Sequence, residues 1–179
     1  MDAMKDAQLV KEFRKGDREA FSELVRRHSR PLTMMLIRIL KDEEEAKDIS
    51  QTAFLKAFEG LPRFMMASSF KTWLYSIAIN AAKDQLRKRR PVTSLDTYES
   101  LPDGAESPGT RLDEARKLRM MREAMESLPE KQRATLQLRL YEEMDYKEIA
   151  GILGGTAGGA RGNFFQAVRS LKGMLEQLR

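Results

Sequence analysis

Cysteine is absent from this chain of 179 residues, and histidine occurs once, as His28. Without cysteine the protein has no disulfide and no thiolate metal site, which suits the reducing cytoplasm. A single histidine also excludes a histidine-cluster metal site and a Ser-His-Asp triad. Because His28 follows Arg26 and Arg27 on a predicted helix, we expect it at the surface or at its boundary. The sequence therefore predicts a protein without a metal or other cofactor.

Long apolar runs are also missing. A membrane-spanning helix needs about 20 consecutive apolar residues, and no stretch of the chain approaches that length. The chain is charged from Asp2 onward, which is unlike a secretory signal peptide. These features predict a cytoplasmic protein that does not insert into a membrane.

Catalytic motifs are the third absence. The sequence holds no glycine loop ending in Lys-Ser or Lys-Thr, no Gly-x-Ser-x-Gly and no His-Glu-x-x-His. Gly154-Gly155 and Gly158-Gly159 resemble a phosphate loop only in composition, because no strand precedes them. We therefore expect neither an enzyme nor a small-molecule substrate.

Positive charge is present and unevenly distributed. The formal net charge is +5, yet residues 91–115 hold six acidic residues and one basic residue. The segments on either side are basic, which favours a polyanionic partner. The acidic middle should be repelled by such a partner, or should shield the basic faces when no partner is bound.

Apolar residues recur at helical spacing through most of the chain, and no strand pattern of any length is present. The fold class is predicted to be all-α, with two small helical domains over residues 1–90 and 112–179. Residues 91–111 hold Pro, Gly, Ser and acidic residues, which is typical of a flexible linker. The expected helix boundaries are N-caps at Asp17, Asp42 and Ser69, an end at Gly60, a helix opened or bent by Pro31, and a capping box over Ser127–Glu130.

The stretch Asp145–Leu171 predicts a helix-turn-helix, with two short helices across the turn at Gly154-Gly155. The first helix carries Ile149, Ile152 and Leu153 on one side, and in the second helix Ala160, Phe164, Ala167 and Leu171 are expected to form one buried stripe. The outward positions, which could meet a DNA groove, are Arg161, Gly162, Phe165, Gln166 and Arg169. An ordinary helical hairpin with a solvated basic face is the alternative.

The helix predicted from Phe70 to about Arg89 ends in a run of basic residues. The helix dipole favours cations at that end, but it does not require four in succession, so phosphate binding is the preferred interpretation. The loop Leu61–Ser69 before this helix combines apolar and basic residues, which is unusual for a plain connector.

Several segments in order resemble one family, the bacterial sigma factors of the extracytoplasmic-function (ECF) group. Gly16–Leu24 resembles the start of conserved region 2, and Ala46–Leu55 is similar to its segment for binding core RNA polymerase. Phe70–Asn80 resembles its promoter-melting and −10-reading helix. Ser127–Arg133 and Tyr146–Ala150 resemble region 4.

The resemblance implies an alternative-type sigma factor that binds core polymerase, through the β′ clamp helices and the β flap, and directs promoter-specific initiation. It also implies control by an anti-sigma protein. The implied core-binding residues are Asp48, Gln51 and Phe54. The implied −10 residues are Arg63, Phe64, Asn80, Lys83, Arg87 and Lys88, with the Phe64–Ser69 loop capturing a flipped-out base. The implied −35 residues are Thr156, Arg161, Gly162, Phe165, Gln166 and Arg169.

The chain departs from the family pattern at several positions. Lys47 and Thr52 stand where Glu is usual, and Gly159 where Thr is usual. A frequent His-Arg-Ala-Arg run is replaced by Phe165–Val168, so the −35 face is poorer in charge. Because glycine destabilises a helix interior by about 1 kcal/mol relative to alanine, Gly159 and Gly162 predict a recognition helix that frays when free.

Two other classes of function fit parts of the sequence. A dimeric helix-turn-helix regulator explains Asp145–Leu171 but assigns no purpose to Asp48–Phe54 or Phe70–Asn80. A structural helical interaction protein explains none of the basic clustering.

Overall fold

The computed structural model describes residues 2–89 and 111–176, with side chains over residues 5–87 and 119–176. These ranges hold eight α-helices, one 3-10 turn at Leu61–Arg63 and no strand, so the all-α prediction is confirmed. The helices are α1 Asp2–Arg14, α2 Arg18–Leu40, α3 Glu43–Gly60, α4 Phe70–Arg89, α5 Arg111–Glu126, α6 Glu130–Leu140, α7 Tyr146–Leu153 and α8 Ala157–Glu176. The predicted linker lies almost entirely outside the described residues, and its bounds stay a prediction.

Local capping sets most helix starts. Asp17 and Asp42 each accept a hydrogen bond from a backbone N–H in the first turn of α2 and α3, at 2.9 Å. The Ser69 hydroxyl accepts one from the Thr72 N–H at 3.0 Å. Each bond satisfies a donor that the helix leaves unpaired. The N-cap predictions are therefore confirmed, as is the end of α3 at Gly60.

Two expectations at prolines are not met as stated. Of the two alternatives for Pro31, opening a new helix is wrong, because Pro31 lies inside the continuous helix α2, between the buried residues His28 and Leu32; a bend of α2 stays a prediction. Packing on both sides of Pro31 outweighs the one backbone hydrogen bond that proline removes. The capping box over Ser127–Glu130 is also absent: Pro129 is the N-cap of α6, and the Ser127 hydroxyl donates to the Ala124 carbonyl at 2.8 Å.

Helices α1 to α4 surround the larger core. Its fully buried side chains include Leu24, Leu32, Leu36, Leu61 and Leu74. The expectation of a surface position for His28 is wrong. Its Nε2 lies 2.7 Å from the Asp6 carboxylate, and both residues are buried between α1 and α2. A buried carboxylate needs such partners, and Arg27 Nη1 is a second one at 3.3 Å.

Helices α5 to α8 form the second helical unit, in which Leu128, Leu136 and Ala167 are buried together. Helix α7 also packs on α4, so the two units share one continuous apolar core. Within the part of the chain that the structure describes, no helix combines the length and apolarity needed to cross a membrane.

Candidate nucleic-acid and partner interfaces

The α7–α8 pair has the geometry expected from its sequence. Ile149, Ile152, Ala160 and Ala167 are buried, and Leu153, Phe164 and Leu171 are half-buried and pack against the same apolar clusters, so the predicted apolar side is confirmed with part of it at the edge of the core. The chain reverses at Gly154 and Gly155, whose φ angles of 74° and 139° are ones that side chains rarely allow.

Each of these two helices begins with a side-chain cap. Asp145 and Glu148 form a reciprocal capping box at the start of α7. The Thr156 hydroxyl accepts a hydrogen bond from the Gly159 N–H at 3.1 Å at the start of α8. Capping on both sides of the turn fixes where α8 begins.

The outward residues of α8 share one exposed face. Arg161, Gly162, Phe165, Gln166 and Arg169 are all exposed, as the helical spacing predicted. The Arg161 guanidinium lies 5.6 Å from the centre of the Phe165 ring. The Gln166 amide oxygen accepts a hydrogen bond from Gln132 of α6 at 3.1 Å. These contacts hold the two polar side chains best suited to reading bases.

The glycines of α8 differ in the space around them, which gives a stability prediction. A Cβ at Gly162 meets nothing within 4 Å, whereas one at Gly159 lies 3.3 Å from the Thr156 hydroxyl oxygen of the cap. We expect Gly162→Ala to stabilise α8 by about 1 kcal/mol, because alanine loses less chain entropy. Gly159→Ala should stabilise α8 by a smaller amount, since the added methyl group presses on the Thr156 hydroxyl that caps the helix.

Thermal unfolding and amide exchange measure this difference. Slow exchange across Gly158–Phe165 in the free wild-type protein would contradict the prediction that α8 frays without DNA. Equal stabilisation by the two alanines would contradict the role given to the Thr156 cap.

The predicted −10 residues are divided between the surface and the interior. Arg63, Asn80 and Arg87 are exposed, and Lys83 is half-buried. Phe64 is buried instead, and its ring stacks on that of Trp73 at 4.5 Å and 17°. The Lys88 side chain lies outside the described residues.

On α3, two of the three predicted core-binding residues are accessible. Asp48 and Gln51 are exposed, but Phe54 is 8% exposed and lies mostly in the core. Sequence reasoning missed Leu55, which is 66% exposed on the same side. Phe54 and Leu55 line an apolar groove between α2 and α3, together with Phe21, Val25, Thr33, Ser50, Gln51 and Phe58.

Helix α4 makes a polar contact with the second unit that the sequence did not predict. The Tyr75 hydroxyl donates to the Glu142 carboxylate at 2.7 Å, and Lys71 Nζ lies 3.2 Å from the same carboxylate. The Thr72 hydroxyl donates to Glu148 at 2.6 Å. Burial, reinforced by the bond to Glu142, raises the pKa of Tyr75, so its hydroxyl stays a neutral donor. The sequence signal of this second buried side of α4 is the placing of the hydroxyl residues Thr72 and Tyr75 among apolar neighbours.

Sequence comparison separates the chain into the same two parts. A family model described as sigma-70 region 2 matches residues 24–92, and one described as sigma-70, region 4 matches residues 118–171. The RNA polymerase sigma-H factor of Pseudomonas aeruginosa is 34% identical over 97% of this chain and 95% of its own length. The ECF RNA polymerase sigma-E factor of Escherichia coli K12 is 31% identical over 99% of this chain and 97% of its own length. The chain belongs to the ECF group of the sigma-70 family.

Two solved structures share the fold of this sigma factor. CnrH, in complex with the cytosolic domain of CnrY, superposes with a TM-score of 0.72 at 24% identity, over 97% of this chain and 98% of CnrH. The sigma factor RpoE of Bartonella quintana, in complex with the anti-sigma factor NepR, superposes with a TM-score of 0.70 at 22% identity. The match covers 89% of this chain and 98% of RpoE.

The two family matches can be compared with the helices of this sigma factor. Region 2 covers most of α2 together with α3 and α4, and region 4 ends within α8 at residue 171. Helix α1 precedes the region 2 match and contributes Asp6 and Arg14 to the first unit.

Within the described residues, no group of three His, Cys, Asp or Glu side chains is placed to hold a metal.

Proposed function

We propose that this sigma factor binds core RNA polymerase and directs initiation at promoters with −10 and −35 elements. The observation that carries the proposal is one chain with three chemically different exposed faces, on α3, α4 and α8, in the order of the family regions. We place it in the cytoplasm, without catalytic chemistry or a cofactor of its own. Its domains are proposed at residues 1–90 and 112–179, joined by the linker 91–111.

The α3 face is the proposed docking surface for the β′ clamp helices. Asp48, Gln51 and Leu55 follow one another at helical spacing on the exposed side of α3. They offer a charge, an amide and an apolar side chain, which suits contact with a partner helix. Lys47 forms an ion pair with Glu43 at 2.7 Å, so part of its positive charge is balanced within the helix. Region 4 supplies the proposed contact with the β flap.

The α4 face is proposed to follow the melted −10 strand. Asn80, Lys83 and Arg87 are three or four residues apart, so their polar groups form one row along the helix. Lys88 is assigned to the same strand from its sequence position alone, next to Arg87. Arg87 is ion-paired with Asp84 at the surface, and a strand phosphate could replace that partner.

The α8 face is proposed to read the −35 element. Arg161 and Gln166 are assigned to base edges, because their side chains can form bidentate hydrogen bonds. Thr156 and Arg169 are assigned to phosphates. Gly162, which has no side chain, is assigned to a close approach of α8 to the DNA, and Phe165 to an apolar contact with it.

An anti-sigma protein is the proposed regulator. The apolar groove between α2 and α3 and the polar faces of α4 and α8 are accessible surfaces that such a partner could cover. Purification from the native host should recover a stoichiometric partner from unstressed cells. A lone, active sigma factor under those conditions would count against this regulator.

In vitro transcription tests the proposed function. Purified core polymerase with this chain should start at specific promoters, beginning with the sequence upstream of its own gene. Failure to bind core polymerase in gel filtration would overturn the proposal. A symmetric footprint on an inverted repeat would support a dimeric regulator instead, since a sigma factor contacts two dissimilar elements.

Core docking gives a specific prediction at Leu55. Leu55→Asp should weaken core binding roughly tenfold or more, because it removes apolar contact area and introduces a charge. Gln51→Ala should add a smaller loss of about 1 kcal/mol. Binding is measured by fluorescence anisotropy with labelled sigma factor.

Leu55→Met is the matched control. It keeps a similar apolar volume at the same position, so its core affinity should stay close to that of the wild type. If Leu55→Asp binds core polymerase as tightly as Leu55→Met, α3 does not dock through this face.

A further inference from the structure

The loop that follows α3 is held to helix α1 by one side chain. Arg14, the last residue of α1, donates from Nε to the Leu61 carbonyl at 3.2 Å and from Nη2 to the Phe64 carbonyl. Leu61 is the first residue of the 3-10 turn, and Phe64 is the residue immediately after the turn. A planar guanidinium can hold two such acceptors at a fixed spacing, which a lysine ammonium cannot do.

Aromatic packing fixes the same turn from the opposite side. The Phe64 ring stacks on Trp73 of α4. Gly60 lies against Trp73 as well, since a Cβ there would be only 3.1 Å from the indole. Next to Arg14, the Phe13 ring lies 5.2 Å from Phe58 of α3. The turn is therefore clamped between α1, α3 and α4.

The residues just beyond this clamp project from the protein. Met65 is 87% exposed, the highest value among the large apolar side chains of the described residues. Met66 has a φ of 55°, a conformation that a non-glycine residue holds only when its surroundings impose it. On the far side the loop is fixed again, because Ser69 caps α4. A short, exposed segment is thus held at both of its ends.

We propose that Arg14 is a positioning residue for −10 recognition: it holds the backbone of Leu61–Phe64 so that Met65 is presented to an unpaired base. The proposal rests on the proposed function, in which α4 follows the melted −10 strand, since this loop leads directly into α4. Arg14 itself contacts no base or phosphate. Its guanidinium is occupied by two carbonyls, and the thioether of Met65 supplies the polarisable contact with the base.

This assignment differs from a simple electrostatic role for Arg14. If Arg14 only attracted DNA, lysine would serve equally well, and removing the charge would lower the salt dependence of binding by about one phosphate contact. If Arg14 positions the loop, lysine fails because it lacks the two-pronged donor. The salt dependence then stays unchanged, because no phosphate contact is lost.

The test uses holoenzyme on the promoter found by transcription with the wild-type chain. Each −10 base of the non-template strand is varied in turn, and open-complex formation is followed by 2-aminopurine fluorescence. Arg14→Lys and Arg14→Ala should both reduce discrimination at one base by roughly 5- to 150-fold, and Met65→Ala should reduce it at the same base. Discrimination at the other bases, core affinity and the salt slope should stay near wild type.

Lys15→Ala is the matched control, because it removes the neighbouring positive charge, and among the described residues the Lys15 side chain makes no hydrogen bond or ion pair with the loop. It should keep full discrimination. Thermal unfolding of each variant distinguishes a misfolded protein from a misplaced loop, and Arg14→Lys is the variant more certain to fold. Wild-type discrimination by Arg14→Lys, or a loss spread evenly over all bases, would overturn the proposal. Absence of any initiation by the wild-type chain would instead overturn the proposed function.

Discussion

Replacing Glu142 with alanine is expected to separate the two helical units of this sigma factor. The side chain of Glu142 is 5% exposed and accepts the Tyr75 hydroxyl at 2.7 Å. Its loss leaves the buried Tyr75 hydroxyl without its acceptor, whereas Lys71, which is 32% exposed, keeps its hydrogen bond to the Glu142 carbonyl at 2.8 Å. A buried hydroxyl left unpaired costs about 1–3 kcal/mol, which here is lost from the contact between α4 and the second unit.

One buried polar atom at that contact has no hydrogen bond. Gln137 is 6% exposed, and its amide oxygen has no hydrogen-bond partner among the described residues. It lines a small cavity between the units, with Lys83 and Leu86 on the opposite wall. A buried acceptor left unpaired costs about 1–3 kcal/mol. Opening would let water reach this oxygen, which favours separation of the units once Glu142 is lost.

Distance measurements by energy transfer check this prediction. The chain has no cysteine, so Glu44→Cys on α3 and Lys172→Cys on α8 give two specific labelling sites. Glu142→Ala should lower the transfer efficiency and raise amide exchange along α4. Both units should stay helical by circular dichroism, because each has buried residues of its own.

Two graded controls come from the same contact. Tyr75→Phe leaves Glu142 paired with Lys71 and should weaken the contact by about 1 kcal/mol. Glu143→Gln alters the charge of the exposed neighbour and should leave the distance unchanged. Unchanged energy transfer in Glu142→Ala would show that the two units are held together by other contacts.

Replacing Arg161 is expected to remove discrimination at one base pair of the −35 element. A good bidentate contact is worth about 1–3 kcal/mol, which corresponds to roughly 5- to 150-fold in affinity ratio. Arg161 and Gln166 are the exposed α8 side chains best suited to such contacts, so few others can compensate. Arg161→Ala and Arg161→Lys should both lose the preference, since lysine lacks the planar fork.

Arg169→Ala is the matched comparison on the same face of α8. As a proposed phosphate contact, it should weaken binding to all promoter sequences equally and reduce the salt slope by about one. Holoenzyme binding to a set of single-base −35 variants, measured at several salt concentrations, separates the two behaviours. Wild-type preference at every base pair with Arg161→Lys would exclude Arg161 as a base reader.

Features set by neighbours along the chain could be predicted. The caps at Asp17, Asp42 and Ser69 each depend on a side chain and an N–H two or three residues away. The buried stripe of α7 and α8 depends only on helical spacing and on the turn between them. Local rules failed at Pro31 and at Ser127, where packing and a competing hydrogen bond outweighed the usual preferences.

The candidate site was predicted in part, for a similar reason. Exposure of Arg161, Gln166 and Asp48 follows from their positions on amphipathic helices. Phe64 was expected to face DNA, but its stack on Trp73 depends on how α4 returns past the end of α3. Leu55 was missed because an apolar residue on a helix predicts burial unless its neighbours are known.

By itself the sequence determined the all-α class, the helix caps, the turn between α7 and α8 and the resemblance to the sigma-70 family. All of these depend on residue types a few positions apart, or on the order of motifs along the chain. Only the tertiary structure decided that His28 is buried on Asp6, that Glu142 joins α4, and that Arg14 holds a turn 47 to 50 residues away. Such pairs form because the folded helices bring together polar groups that lie far apart in the sequence, and the buried ones, Asp6 and Glu142, have no access to water and need a protein partner.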